Sequence, residues 1–129
     1  MARCVLDASA VLAWVFDERG ADTVEKVLGE SGLSTVNLAE VLYRCDEEGM
    51  NTTGLEEDLG SLGLDIVPFE VPDARLAEEV RRAGRREGHR LALGDCCCLA
   101  TAIRLSLPVV GGDQAWETLR LGVEVHPFR

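Results

Sequence analysis

The stretch "GDCCCLATAIRLSLPVVGG", residues 94–112, decides the fold because it joins a buried helix directly to a buried strand. Its first part is apolar over several turns, and Pro108 ends the helix because proline cannot continue the backbone hydrogen bonding. The segment "PVVGG" (108–112) that follows is continuously apolar, which is typical of a strand covered on both faces. The sequence therefore predicts a helix over 94–107 and a strand over 108–112.

The same alternation of apolar strands and helices runs along the rest of the chain. Further strands are predicted over 3–6, 64–69 and 123–128, and further helices over 8–18, 21–30, 37–49, 53–63, 72–88 and 113–122. The segment 33–36 fits either a short strand or the start of a helix. Helices alternating with apolar strands favour a parallel sheet. We expect an α/β fold of three layers (α/β/α) that forms one domain over residues 1–129.

Composition limits the class of function. The chain has 129 residues and a formal net charge of −10, which argues against a protein that binds nucleic acid mainly by neutralising phosphates. That charge still permits a nuclease whose carboxylates bind a metal. We find neither a signal peptide nor an apolar run of the roughly 20 residues that a membrane span requires. The expected location is the cytoplasm.

Five cysteines are present, three of them consecutive, at 96–98. On a helix, these three side chains point in directions about 100° apart, so they cannot converge on one metal ion. The chain also lacks a CxxC pair and any zinc-like spacing of its two histidines. We interpret the cysteines as reduced, buried apolar residues.

Arginines are concentrated in the segment 75–90, where Arg82 and Arg86 are candidates for contacts with phosphate groups. The alternative is a solvated helix face whose arginines pair with neighbouring glutamates.

Two aspartates fall where a parallel sheet places its ligands, beyond the carboxyl ends of the strands, and a third stands at the start of a helix. Asp7 follows the first strand and Asp113 follows "PVVGG". Asp95 stands at the start of a helix, above the apolar stripe formed by Leu99 and Ile103. Each of these aspartates also fits a helix-capping role.

Acids gathered at one sheet edge repel one another, and a divalent cation removes that conflict. Oxygen ligands favour Mg²⁺ or Mn²⁺ over zinc, and one or two such ions support phosphoryl chemistry. Glu40 does not belong to this set by pattern, because it points away from the apolar stripe of its own helix and is expected to be solvated.

In this order and spacing, "VLDASA", "NLAEV", "LALGDCCCLATAIRLSLPVVGGDQAW" and "LGVEVHPF" resemble a PIN domain of the VapC toxin type. The resemblance covers essentially the whole chain. It implies a metal-dependent endoribonuclease, a homodimer and an antitoxin partner with an arginine-bearing tail. It also implies an acidic quartet of Asp7, Glu40, Asp95 and Asp113, in which the three aspartates hold the metal and Ser9 and Asn37 support them.

The sequence departs from the family pattern at Gly111, where threonine or serine is usual. The missing hydroxyl would weaken the hold on the last carboxylate, or the glycines would let the backbone approach the ligand closely.

The alternative to a nuclease is a binding module with the same fold that acts through a protein partner. A phosphoacceptor receiver domain is disfavoured because the only lysine, Lys26, lies in an early helix. A haloacid-dehalogenase-like phosphatase is disfavoured because Ser9 stands where a second aspartate is needed.

Overall fold

The computed structural model describes residues 1–112 and 114–129, with Gln114 and Ala115 described through their backbone only. The described residues form a sheet of five strands, six α-helices and one 3-10 helix, Gln114–Thr118. The strands are β1 (Cys4–Leu6), β2 (Ser31–Ser34), β3 (Asp65–Val67), β4 (Val109–Val110) and β5 (Val125–His126). The helices are α1 (Ala8–Val15), α2 (Ala21–Leu28), α3 (Thr35–Glu47), α4 (Leu55–Ser61), α5 (Val71–Arg86) and α6 (Leu93–Leu105).

All five strands are parallel, in the order β3-β2-β1-β4-β5, so the α/β parallel-sheet prediction is confirmed. The central strand β1 pairs with β2 on one side and with β4 on the other. The carboxyl ends of the strands therefore lie at one edge of the sheet. Between β1 and β4 the strand order reverses direction, which is the position where open α/β sheets bind their ligands.

The apolar strands bury side chains on both faces of the sheet. Along β1, Cys4 and Leu6 pack into a core with α1, α2 and α3, whereas Val5 packs into a second core with α5 and α6. In β4, Val109 joins the second core and Val110 the first. Because successive strand residues face opposite layers, both layers require apolar side chains, which explains why these strands do not alternate with polar residues.

An ion pair between a buried aspartate and a partly exposed arginine connects α5 to α6. Asp73, in the first turn of α5, has no exposed surface and accepts hydrogen bonds from the backbone N–H of Glu70 and from Nε of Arg104 on α6. Arg104 also donates to the carbonyl oxygen of Pro68. The contact fixes how the start of α5 sits beside α6, and so helps to orient the helix that carries Asp95.

The prediction of a regular helix over 113–122 was wrong, and the predicted bounds of some strands were too wide. The helix expected over 113–122 is a short 3-10 helix over Gln114–Thr118 in the described residues. The residues 33–36 divide between the end of β2 and the start of α3, because Ser34 caps α3 by accepting a hydrogen bond from the backbone N–H of Val36. The strands β4 and β5 are also shorter than expected, at two residues each.

None of the helices within residues 1–112 and 114–129 is long and apolar enough to cross a membrane.

Candidate active site

Asp7 is the most strongly held acid at the carboxyl edge of the sheet. It directly follows β1, is only 6% exposed and caps α1 by accepting a hydrogen bond from the backbone N–H of Ala10 at 2.9 Å. The hydroxyl of Ser9 lies 2.8 and 2.9 Å from its two carboxylate oxygens, and the backbone N–H of Gly112 donates to Oδ2 at 2.7 Å. These donors compensate a buried charge that would otherwise be costly. The capping interaction predicted for Asp7 is therefore observed, and Asp7 also lines a cavity at this edge of the sheet.

Gly111 makes the close approach of β4 to Asp7 possible. Its φ is +132°, and a Cβ at this position would lie 2.3 Å from Oδ1 of Asp7. A side chain of any kind would collide with the carboxylate, and this φ is one that residues other than glycine rarely adopt. Of the two interpretations of the missing threonine or serine, the structure supports the close approach of the backbone, because the N–H of Gly112 provides a hydrogen bond to Asp7.

Glu40 is held at the site by a buried amide. Asn37, one turn earlier on α3, is 1% exposed and donates through Nδ2 to Oε1 of Glu40 at 2.7 Å and to the carbonyl oxygen of Gly94 at 3.0 Å. A Cβ on Gly94 would lie 2.4 Å from both carboxylate oxygens of Glu40. Glu40 is exposed as a whole, as the helix pattern predicted, but its carboxylate is fixed against α6.

Asn37 leaves one polar atom without a partner. Both groups that it contacts through Nδ2 are acceptors, so the orientation of the amide is determined and Oδ1 points elsewhere. Oδ1 is buried and has no hydrogen-bond partner among the described residues. Buried polar atoms are nearly always satisfied, and an unpaired oxygen on a residue that lines the same cavity as three acids is a position where a ligand or a water would be stabilised.

Asp95 lies in the first turn of α6, where its Oδ2 accepts a weak hydrogen bond from the backbone N–H of Ala92 at 3.4 Å. It is partly buried, above the fully buried Leu99, as the apolar stripe predicted. Asp7 and Asp95 each stand at the N-terminus of a helix, α1 and α6, where the helix dipole favours negative charge. Two helix ends at the sheet edge therefore stabilise the acids that approach each other there.

These side chains line one cavity of about 660 Å³. Its lining includes the predicted residues Asp7, Ser9, Asn37, Glu40 and Asp95, together with Leu12, Gly112, Trp116 and Phe128, and two arginines, Arg44 and Arg129. The predicted Asp113 lies outside the described residues. Neither Arg82 nor Arg86 is among the described residues that line the cavity. Arg82 instead forms an ion pair with Glu78 on α5 at 2.9 Å.

The charges of the three acids affect the pKa of the buried thiol of Cys98. Burial raises the pKa of Cys98 well above its ordinary value, and the negative charges of Asp7, Asp95 and Glu40 raise it further. The three carboxylates line one cavity, although they lie after β1, on α3 and on α6. The prediction that the cysteines at 96–98 are buried is confirmed, since they are 2%, 3% and 0% exposed.

The donor set suits a hard cation. Carboxylate oxygens, a hydroxyl and the unpaired amide oxygen of Asn37 are ligand types that Mg²⁺ and Mn²⁺ prefer. Among the described residues, no three His, Cys, Asp or Glu side chains are close enough together to hold one ion. Asp7 and Glu40 are instead engaged by hydrogen bonds within the chain.

Three residues at the cavity were not predicted from the sequence. They are Gly94, Arg44 and Arg129. The glycine before Asp95 was a usable signal, because glycine within the first turn of a helix is unfavourable unless a neighbour needs the space. Arg44 was also accessible, since it lies four residues after Glu40 on the same helix face.

The parallel sheet with acids at its reversal point defines an α/β domain of the PIN type. The sequence model of the PIN domain family matches residues 4–120, and the chain belongs to this family. The resemblance to a PIN domain is therefore confirmed. No curated protein sequence matches the chain at a significant level.

Several solved structures share the fold. A chain of the DNA-bound VapBC complex from Salmonella typhimurium is 16% identical, with a TM-score of 0.77 over 100% of both chains. A chain of a toxin–antitoxin complex from Klebsiella pneumoniae has the same identity and TM-score, 16% and 0.77, over 98% of both chains. FitAcB from Neisseria gonorrhoeae is 22% identical, with a TM-score of 0.66 over 95% of this chain and 96% of that one.

Proposed function

We propose that the protein is a Mg²⁺- or Mn²⁺-dependent endoribonuclease that hydrolyses single-stranded RNA, and that it is the toxin of a toxin–antitoxin pair. The observation that carries the proposal is the convergence of Asp7, Glu40 and Asp95, with the unpaired amide oxygen of Asn37, in one cavity at the point where the sheet order reverses. A site of this composition suits a divalent ion and a phosphodiester better than any uncharged ligand.

The proposal assigns a distinct role to each side chain. Asp7, Asp95 and Asp113 would hold the metal, and Glu40 would orient the attacking water and take up its proton. A bound ion would supply Lewis-acid polarisation of the phosphodiester. Ser9 and the N–H of Gly112 fix the orientation of Asp7, and Asn37 fixes Glu40. Hydrolysis would leave a 5′-phosphate and a 3′-hydroxyl.

The proposed partner is a cognate antitoxin, and the proposed assembly contains two copies of this chain. Support comes from similar folds that were solved as VapBC and toxin–antitoxin complexes, one of them bound to DNA. An arginine from the partner would suit a cavity lined by Asp7, Glu40 and Asp95, since a guanidinium forms paired hydrogen bonds with carboxylates.

A second function is a binding module that shares the fold and has little or no activity. The spacing of the acids favours it, since no group of three in the described part of the chain is arranged to hold one ion. A module of this kind would gain no thermal stability from Mn²⁺, whereas a nuclease with an intact site would.

The test is the cleavage of a labelled single-stranded oligoribonucleotide in Mn²⁺ and in EDTA. We expect cleavage only with Mn²⁺, and its loss in Asp95→Asn. Asp22→Asn is the matched control, because Asp22 also lies in the first turn of a helix, on α2, but is exposed and outside the cavity lining. Folded Asp95→Asn protein that cleaves at the wild-type rate would refute the proposed site. Absence of both cleavage and a Mn²⁺-induced rise in melting temperature in the wild type would favour the binding module.

A further inference from the structure

Two arginines stand at the wall of the carboxylate cavity, on different parts of the fold. Asn37, Glu40 and Arg44 recur at helical spacing along one face of α3, so Arg44 lies about 6 Å beyond Glu40 along the helix axis. Arg129 follows β5 and lines the same cavity. Among the described residues that line the cavity, Arg44 and Arg129 are the two with positively charged side chains.

Each arginine is positioned by a contact that leaves donors for a ligand. Nη2 of Arg44 lies 3.3 Å from a carboxylate oxygen of Glu48, and the side chain of Arg44 is 57% exposed. The guanidinium of Arg129 lies over the ring of Phe128 at 4.8 Å, and Phe128 is itself buried. A guanidinium has five N–H donors, so these contacts leave several of them for phosphate oxygens.

A polyanion that enters this cavity meets an electrostatic problem. The chain carries a net charge of −10, and the cavity itself contains three carboxylates. A divalent ion neutralises charge at the phosphate that reacts, but the phosphates on either side remain close to acids. Positively charged side chains at the rim of the cavity would bind these flanking phosphates, because phosphate contacts supply most of the affinity for a nucleic acid backbone.

We propose that Arg44 and Arg129 form a phosphate subsite that binds the phosphodiesters flanking the reacting one in a single-stranded RNA. This inference rests on the proposed nuclease function. It places the backbone contacts on α3 and on the residues after β5, whereas the sequence predicted them at Arg82 and Arg86 on α5.

Arg82 offers a matched control. Like Arg44, it forms an ion pair with a glutamate one turn away on its own helix, and its side chain is 51% exposed against 57% for Arg44. Arg82→Gln and Arg44→Gln therefore remove the same charge and the same kind of surface ion pair. They differ in that Arg44 lines the cavity and Arg82 does not.

The experiment measures cleavage of a labelled single-stranded oligoribonucleotide of mixed sequence by the full chain over a series of KCl concentrations. We expect Arg44→Gln and Arg129→Gln each to raise KM about fivefold with a smaller change in kcat, as for loss of a partly exposed charged hydrogen bond. The slope of log(kcat/KM) against log[KCl] should fall by about 0.7 in each variant. Arg82→Gln should match the wild type, and Arg44→Lys should retain the wild-type slope because it keeps the charge.

A second measurement separates this role from a structural one. Titration with Mn²⁺ in the absence of RNA should show equal or tighter binding in Arg44→Gln and Arg129→Gln, because each loses a positive charge beside the carboxylates. A variant that is merely damaged would bind Mn²⁺ more weakly, and that result would contradict the subsite.

Wild-type KM and salt slope in both Arg44→Gln and Arg129→Gln, with RNA still cleaved, would overturn the subsite and leave the nuclease proposal standing. A raised KM in Arg82→Gln alone would move the phosphate contacts to α5. A wild-type protein that neither binds nor cleaves RNA in Mn²⁺ would overturn both proposals.

Discussion

The backbone N–H of Gly112 donates to Oδ2 of Asp7 at 2.7 Å, and so joins residues 105 positions apart in the sequence. The contact spans the point where the strand order reverses, between the ends of β1 and β4. It places a positively polarised N–H on a carboxylate that also accepts hydrogen bonds from Ser9 and Ala10. The position of Asp7 therefore depends on the path of the backbone after β4, as well as on its own strand.

Gly111→Ala should be more damaging than its small size suggests. The new Cβ would lie 2.3 Å from Oδ1 of Asp7, and φ at this position is +132°. Because Asp7 has a short side chain held by several donors, the backbone must move instead, at a cost of about 3 kcal/mol in the free energy of unfolding. Gly111→Thr, which introduces the residue common in the family, should be at least as harmful. Urea denaturation measures the change.

Gly122→Ala is the control for backbone strain, since Gly122 has φ of +73° and no atom within 4 Å of the added Cβ. It should cost about 1 kcal/mol. Equal losses of stability in Gly111→Ala and Gly122→Ala would mean that crowding of Asp7 contributes nothing.

Gly94→Ala should affect cleavage much more than folding. A Cβ here would lie 2.4 Å from both carboxylate oxygens of Glu40. Because the crowded group is the end of a flexible side chain, Glu40 should swing away and lose its hydrogen bond from Asn37, at a cost of about 1 kcal/mol. The cleavage rate should fall to that of Glu40→Ala.

A double-mutant cycle isolates the contact between Gly94 and Glu40. In the Glu40→Ala background, Gly94→Ala should have no further effect on cleavage. Gly60→Ala, at a helical glycine of α4 with open space around it, should leave the rate unchanged and stabilise the fold by about 0.5 kcal/mol. Additive losses in the double variant would show that Gly94 does not act through Glu40.

The thiols should be unreactive in the folded protein. All five cysteines are buried, and burial raises the pKa of Cys97 to about 11, with further increases from the charges of Cys96 and Glu40. A thiol-specific reagent at pH 8 should therefore label native protein slowly and urea-unfolded protein at once, because the thiolate is the reactive species. Rapid labelling of the native protein would contradict the described burial.

The same pKa shift gives a pH dependence with a definite sign. The folded thiol of Cys97 holds its proton more tightly than the unfolded one, whose pKa is about 9. Its contribution to stability is therefore complete below about pH 9 and is lost as the pH rises from about 9 towards 11. Cys97→Ala should show a shallower fall in melting temperature over this range. A parallel fall in both proteins would assign the dependence to other groups.

The sequence predicted the fold better than it predicted the site. Strands that are apolar at every position, such as Cys4–Leu6, indicate burial on both faces, and the structure shows that Val5 and Leu6 pack into opposite cores. The rule that ligands bind beyond strand ends then placed Asp7 near the site. The same rule could not place Glu40. The apolar pattern of α3 indicates which helix face packs into the core, but it does not indicate which element lies beside the exposed face.

The end of the chain was harder to predict for a different reason. Helix propensity over 113–122 suggested a regular α-helix, but Gly111 and Gly112 both have positive φ and set an irregular path after β4. A Cβ on Gly112 would lie 2.3 Å from the ring of Trp116, which is 3% exposed. The packing of Trp116 on the glycine turn fixes the local structure here, and tertiary contacts of this kind leave no periodic pattern in the sequence.

Calorimetric titration of Mn²⁺ into the metal-free protein tests the central claim most directly, namely that Asp7, after β1, and Asp95, on α6, bind the same cation. We predict that the wild type binds Mn²⁺, that Asp7→Asn and Asp95→Asn each weaken binding at least about tenfold, or about 1.4 kcal/mol, and that Asp22→Asn on α2 binds as the wild type does. Wild-type affinity in folded Asp7→Asn and Asp95→Asn, or no binding by the wild type, would contradict it.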